Sequence, residues 1–121
     1  MNRFRFLEWD VYRDAKKVFS STLHLVRRLP QEHRFDLGNQ IIRSALSIVL
    51  NIAEGSGKSS DRELNRFFDI ALGSVHETVA AIDVLRDNSL ITNDECDRLF
   101  NLLESIAKQL GGFKKTLKSR K

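Results

Sequence analysis

The stretch from about Leu37 to Glu54, LGNQIIRSALSIVLNIAE, constrains this chain more than any other. At ~100° per residue, Gln40, Arg43, Ser44, Ser47, Asn51 and Glu54 share one sector about 100° wide. Leu37, Ile41, Ile42, Ala45, Leu46, Ile48, Val49, Leu50, Ile52 and Ala53 fill the remaining ~220°. That arc is too wide for a helix facing one core, so the helix must sit centrally in a bundle or add a subunit interface. Its polar strip is poor in charge for so charged a chain, which fits burial against protein. A solvent-facing strip is the open alternative, since amide and hydroxyl side chains are mostly exposed.

The neighbouring segments carry the same helical period. Val11, Ala15, Val18, Thr22, Val26 and Leu29, with Phe19 alongside, make an apolar stripe over about 6–29 that Pro30 ends. Ser60-Asp-Arg-Glu63 reads as a capping box opening a helix over 61–87, with the stripe Leu64, Phe67, Phe68, Ala71, Val75, Thr78, Ile82 and Leu85. Thr92-Asn-Asp-Glu95 is a second box, opening a helix over about 93–117. There Leu99, Leu103, Ile106, Leu110, Phe113 and Leu117 alternate spacings of four and three, the seam of close helix packing. Gly111-Gly112 should weaken this helix near its end. Four helices with short links predict a single all-α domain, an antiparallel up-down-up-down four-helix bundle spanning 1–121. One Pro and six Gly are too little turn punctuation for a β-sandwich or barrel.

Charge is distributed unevenly. Residues 1–60 carry ten Lys/Arg against six Asp/Glu, residues 61–104 four against ten, and residues 105–121 six against none. On the first helix Arg13, Lys16, Lys17, His24, Arg27 and Arg28 all fall within about 60° of the direction opposite the apolar stripe. Together with the tail residues Lys114, Lys115, Lys118, Arg120 and Lys121 they predict a basic surface suited to a polyanion. A solvated face is the plainer alternative. Tyr12 and Trp9 lie near the basic face and fit stacking or packing equally, so base specificity has no visible source.

Other chemistry fails on context. GSGKSS at 55–60 ends like a nucleotide-binding P-loop, but Ile52 stands where the first Gly must be, and no strand precedes it. Val79-Ala-Ala-Ile-Asp83 imitates the acidic partner motif of such sites, yet it continues a helical stripe. We read Gly55 instead as the end of the second helix and Ser60 as the cap of the third. His24, His33, His76 and the lone Cys96 have no metal-ligand spacing, and Glu54 and Glu77 face no nucleophile. Arg43 is expected to reach Gly73 carbonyl, Ser74 or Glu77. No cofactor, metal, catalytic residue or membrane span is expected, and the absence of an apolar leader after Met1 suggests a cytoplasmic, soluble protein.

Gln40, Arg43, Ser44, Ala45, Ser47, Ile48, Asn51, Ile52, Ala53, Glu54 and Gly55, followed by Phe67, Phe68, Ile70, Ala71, Gly73, Ser74 and Glu77, form a connected pattern. It closely resembles the bacterial S23-like family encoded in intervening sequences of large-subunit ribosomal RNA genes. FLEWDVYRDA near the start also resembles that family's opening, so the likeness covers most of the chain; the last forty residues match only as a generic helix. The resemblance implies a four-helix protomer assembling into a ring-like homopentamer, with Gln40, Arg43, Ser47, Asn51, Glu54, Gly55, Gly73, Ser74 and Glu77 in structural or interface roles. It implies no established enzyme activity, and a related accessory protein of diversity-generating retroelements is a basic pentamer that binds nucleic acid and a reverse transcriptase. The expected function is non-catalytic, oligomeric binding of nucleic acid, RNA before DNA. The rival is a homo-oligomeric scaffold that recruits a protein partner without touching nucleic acid.

Overall fold

Side-chain caps and a proline set several of the helix starts. The computed structural model describes residues 4–119, with side chains described over 4–113. Among these residues every regular element is a helix, and there is no strand. A 3-10 turn over Arg5–Glu8 leads into α1, Asp10–Arg27. The single helix expected from about residue 6 is therefore broken at Trp9, whose backbone is extended (φ −72°, ψ 134°). The break lets the indole pack against Phe68 and Phe113, with ring centroids 6.3 and 5.3 Å apart. At its other end α1 stops at Arg27, two residues short of the expected Leu29, because the N–H groups of Arg28 and Leu29 bond three residues back, to Leu25 and Val26. Pro30 then caps α2, the single turn Gln31–Arg34, its carbonyl accepting the N–H groups of His33 and Arg34.

The long apolar stretch forms α3, Asp36–Ser56. Its end corrects the expectation for Gly55, which lies inside the helix and is buried. A Cβ at Gly55 would stand 3.1 Å from Phe67 Cβ and 3.2 Å from the Phe68 ring, so this glycine serves close helix approach rather than chain reversal. Gly57 is the C-cap, in ordinary helical conformation (φ −88°). Gly38, near the other end of α3, has the same kind of role: a Cβ there would meet Val26 Cγ1 at 2.7 Å.

Ser60 caps α4, Asp61–Asp87, its hydroxyl accepting the Glu63 N–H at 3.2 Å. The expected return arm of this box is not the bond Glu63 makes; its carboxylate accepts from Arg66 Nε at 2.8 Å instead. α5, Asn93–Ser119, opens on a box with both arms closed, Glu95 N–H to Thr92 Oγ1 and Thr92 N–H to Glu95 Oε1, each 3.1 Å. The Gly111-Gly112 pair does not interrupt α5.

α1 packs on α3 and α5, and α4 packs on the same two helices. Val18, Ile48, Ile52, Phe68, Ile82, Leu103 and Ile106 meet between them as a fully buried core. α3 touches α1, α2 and α4, yet Leu46 and Leu50 remain on its outer side, Leu50 55% exposed. The wide apolar arc thus exceeds what one chain covers.

Candidate nucleic-acid interface

The basic face of α1 does not stand alone. Packing against α5 sets Leu102 beside it, and Arg13, Lys16, Lys17, Ser20, Ser21 and Leu102 line a shallow, open groove about 800 Å³ in volume. A smaller hollow of about 260 Å³ adjoins it at Ser21 and Leu102, and is lined further by His24, Leu25, Arg28, Glu95, Arg98 and Leu99. The seam therefore gathers Arg13, Lys16, Lys17 and Arg28 with Arg98, a cation from the other helix.

The electrostatics along the seam are graded. Arg13 lies 3.9 Å from Asp10 and Lys17 3.9 Å from the half-buried Asp14, loose pairs with exposed cations and of small energetic weight. Asp14 also accepts a 2.8 Å bond from Gln109 Nε2, which ties α1 to α5. Lys16 sits over the Tyr12 ring, 5.0 Å from its centroid. Arg27 is exposed. Arg28 is the most committed of the group: its guanidinium pairs with the Glu95 carboxylate and holds that group down to about pKa 2, helped by the Thr92 N–H and hydroxyl against the opposing effect of burial. The same bond raises the pKa of Arg28. Lys114, Lys115, Lys118, Arg120 and Lys121 lie outside the described side chains.

The resemblance-derived positions divide into two sets. The first joins α3 to α4: Gln40 Nε2 donates to Glu77 at 2.9 Å, Ser47 and Ser74 hydroxyls meet at 2.8 Å, and Thr78 Oγ1 lies 2.9 Å from Ser44 Oγ. Asn51 Nδ2 supports Ser47, donating to its carbonyl at 2.8 Å. Gln40–Glu77, Ser47–Ser74 and Gly55 against Phe67 and Phe68 advance along α3 as they retreat along α4, so the two helices are antiparallel. The half-buried part of the polar strip thus faces protein, where small hydroxyl side chains allow close approach and satisfy one another.

The second set, Arg43, Glu54 and Gly73, is exposed. Arg43 does not reach Ser74 or Glu77 as expected; Ser47 and Gln40 hold those partners. Nothing lies within 4 Å of the place a Gly73 Cβ would occupy. Glu54 and Glu77 are not brought together, because Glu77 is bonded to Gln40, fourteen residues and ~21 Å of helix from Glu54.

A profile of the family described as 23S rRNA-intervening sequence protein matches residues 8–112. The chain belongs to that family. Among solved structures, a protein of unknown function from the S23 ribosomal protein family of Bacteroides thetaiotaomicron is similar, with a TM-score of 0.81 and 25% identity over 87% of this chain and 98% of that one. No curated protein matches the chain.

In this 23S rRNA-intervening sequence protein family member, the P-loop fragment is an interhelix link. Lys58 lies over the Phe67 ring at 4.9 Å, with helices on both sides. Cys96 is buried, which pushes its thiol pKa up. Among the described residues no group of three or more His, Cys, Asp or Glu is placed to hold a metal ion. Among them, too, no helix is long and apolar enough to cross a membrane. Sequence reasoning missed two contributors. Arg98 sits in an acid-rich segment, and only the α1–α5 contact assigns it to the basic seam. Gly38 left no signal in the helical period, although it sets how near α3 comes to α1.

Proposed function

We propose that this protein is a non-catalytic, homo-oligomeric nucleic-acid-binding protein whose partner is RNA in preference to DNA. The observation that carries the reading is the α1–α5 seam, where Arg13, Lys16 and Lys17 line an open groove and Arg98, with the Glu95-paired Arg28, lines the smaller hollow that adjoins it. Cations held along a groove track a phosphate backbone, and each contact made releases a condensed counterion. The family description, which names an intervening sequence of 23S rRNA, fits an RNA context. In this reading the protomer is an up-down-up-down bundle, five of which form a ring. A ring of protomers with net charge +4 would carry roughly +20, multiplying weak phosphate contacts by avidity. The outward Leu46 and Leu50 supply apolar area for the subunit contact. The cytoplasm, where its RNA partner would be met, is the proposed location.

Binding of RNA and DNA oligonucleotides measured from about 50 to 200 mM salt tests this reading. Affinity should fall steeply with salt, and the slope should flatten when Lys16, Lys17 and Arg27 are changed together to Gln. The five tail cations provide a separate set to neutralise. Binding that is absent, or independent of salt, would sink the proposal and favour the scaffold reading. That second reading draws on the same outward leucines and on Phe35, 78% exposed at the start of α3.

A further inference from the structure

Sequence could not separate stacking from packing for the aromatic residues near the basic face, and the structure does separate them. Trp9 is half-buried and packs against the Phe68–Phe113 pair, with Arg5 over its ring 6.0 Å from the centroid. Phe6 and Tyr12 instead form a second aromatic group at the start of α1, edge to face with centroids 4.9 Å apart. Phe4 continues it outward, 6.2 Å from Phe6, and is 62% exposed, so its ring is anchored at one side and open at the other. The group does not end in neutral surface. Lys16, which covers the Tyr12 ring at 5.0 Å, also lines the basic groove with Arg13 and Lys17. An open aromatic ring thus connects, through Phe6, Tyr12 and Lys16 in turn, to an open cationic groove.

We propose that this juxtaposition makes single-stranded nucleic acid the ligand: an unpaired base stacks on Phe4 while the adjoining phosphates enter the groove at Lys16, Arg13 and Lys17. The inference rests on the nucleic-acid reading above and narrows it. Stacking platforms beside cationic grooves bind single strands without strong sequence preference, because every base offers a π face. A duplex keeps its bases stacked on one another and can use only the phosphate contacts. Phe4 is therefore the residue that discriminates the two forms.

The test compares the full-length protein and Phe4→Ala on an unstructured 5′-labelled oligouridylate and on a mixed-sequence RNA duplex of equal length, across salt. The wild type should favour the single strand. Phe4→Ala should lower single-strand affinity by about 5- to 150-fold, the range of one lost base stack, with duplex affinity and the salt slope unchanged. Phe4→Trp should restore single-strand binding. A helical circular-dichroism signal and melting temperature equal to wild type would confirm that the variant is folded, as expected for a residue outside the core. Equal losses on both ligands, or no loss on the single strand, would overturn the inference while leaving nucleic-acid binding intact. So would a fall in native mass on Phe4→Ala, which would make Phe4 a subunit contact. Failure of the wild type to bind either ligand would overturn both readings together.

Discussion

The Arg28–Glu95 pair is the sharpest point at which the seam can be tested, because Glu95 does two jobs. Its Oε1 accepts the Thr92 N–H at 3.1 Å, closing the α5 capping box, while its other carboxylate oxygen pairs with Arg28 across from α1. Glu95→Gln separates the two, since a glutamine amide oxygen can still accept the Thr92 bond but carries no charge. A carboxylate held at about 2 rather than 4.5 corresponds by linkage to roughly 3 kcal/mol. The Glu95 side chain is 15% exposed but Arg28 is 61% exposed, so solvent screens the attraction and about 1–2 kcal/mol is the expected cost at neutral pH. The sign follows from the lowered pKa: the carboxylate's contribution is complete above about 4.5 and disappears as the pH falls toward about 2. Urea unfolding of wild type and variant at one protein concentration, from pH 7 down to 2, should show a constant stability gap that closes between those two values. A gap below about 0.3 kcal/mol at pH 7, or one that persists unchanged at pH 2, would refute the assignment. If the seam binds phosphate, Glu95→Gln should also tighten RNA binding by releasing Arg28 and removing one negative charge.

Gly38→Ala should destabilise the protein by about 1–2 kcal/mol in thermal or urea unfolding, because clash with the stiff Val26 outweighs the ~1 kcal/mol gained in helix propensity. Val26→Ala in the same chain should relieve the clash, so a double-mutant cycle that came out additive would contradict the contact. Gly73→Ala should stabilise the protomer by about 0.5–1 kcal/mol, since its Cβ meets nothing within 4 Å. Loss of stability there would mean the methyl strikes a neighbouring subunit. Leu50→Arg should lower the mass seen by sedimentation while leaving the circular-dichroism spectrum of the fold unchanged; an unchanged mass would remove α3 from the proposed interface.

Much of the fold was legible because helix signals are local. Apolar spacing placed the long helices, and Ser60 and Thr92 marked their starts through hydroxyls that reach only three residues ahead. The misreadings arose where a distant partner decided the outcome. Gly55 looked like a helix end because glycine usually punctuates, but the Phe67-Phe68 pair needs its missing side chain inside the helix. Arg43 sat at the right level to reach α4, yet Gln40 and Ser47 point there instead. The long first helix was expected to be continuous because no residue at 8–10 breaks a helix; the demand came from the core, which takes the Trp9 ring.

For the candidate site, the charge of α1 was written in the sequence and its setting was not. Arg13, Lys16, Lys17, Arg27 and Arg28 share a face because 3.6 residues make a turn, a property of the helix alone. Which of them is neutralised and what stands opposite depend on a contact between segments about seventy residues apart: Glu95 claims Arg28, Arg98 adds a cation, and Leu102 floors the groove. The chain alone thus determined helices, their apolar faces and their sign of charge, all set by neighbours within a turn. Only the packing of α1 on α5 decided that these charges line a groove, because complementarity between distant surfaces has no local period to betray it.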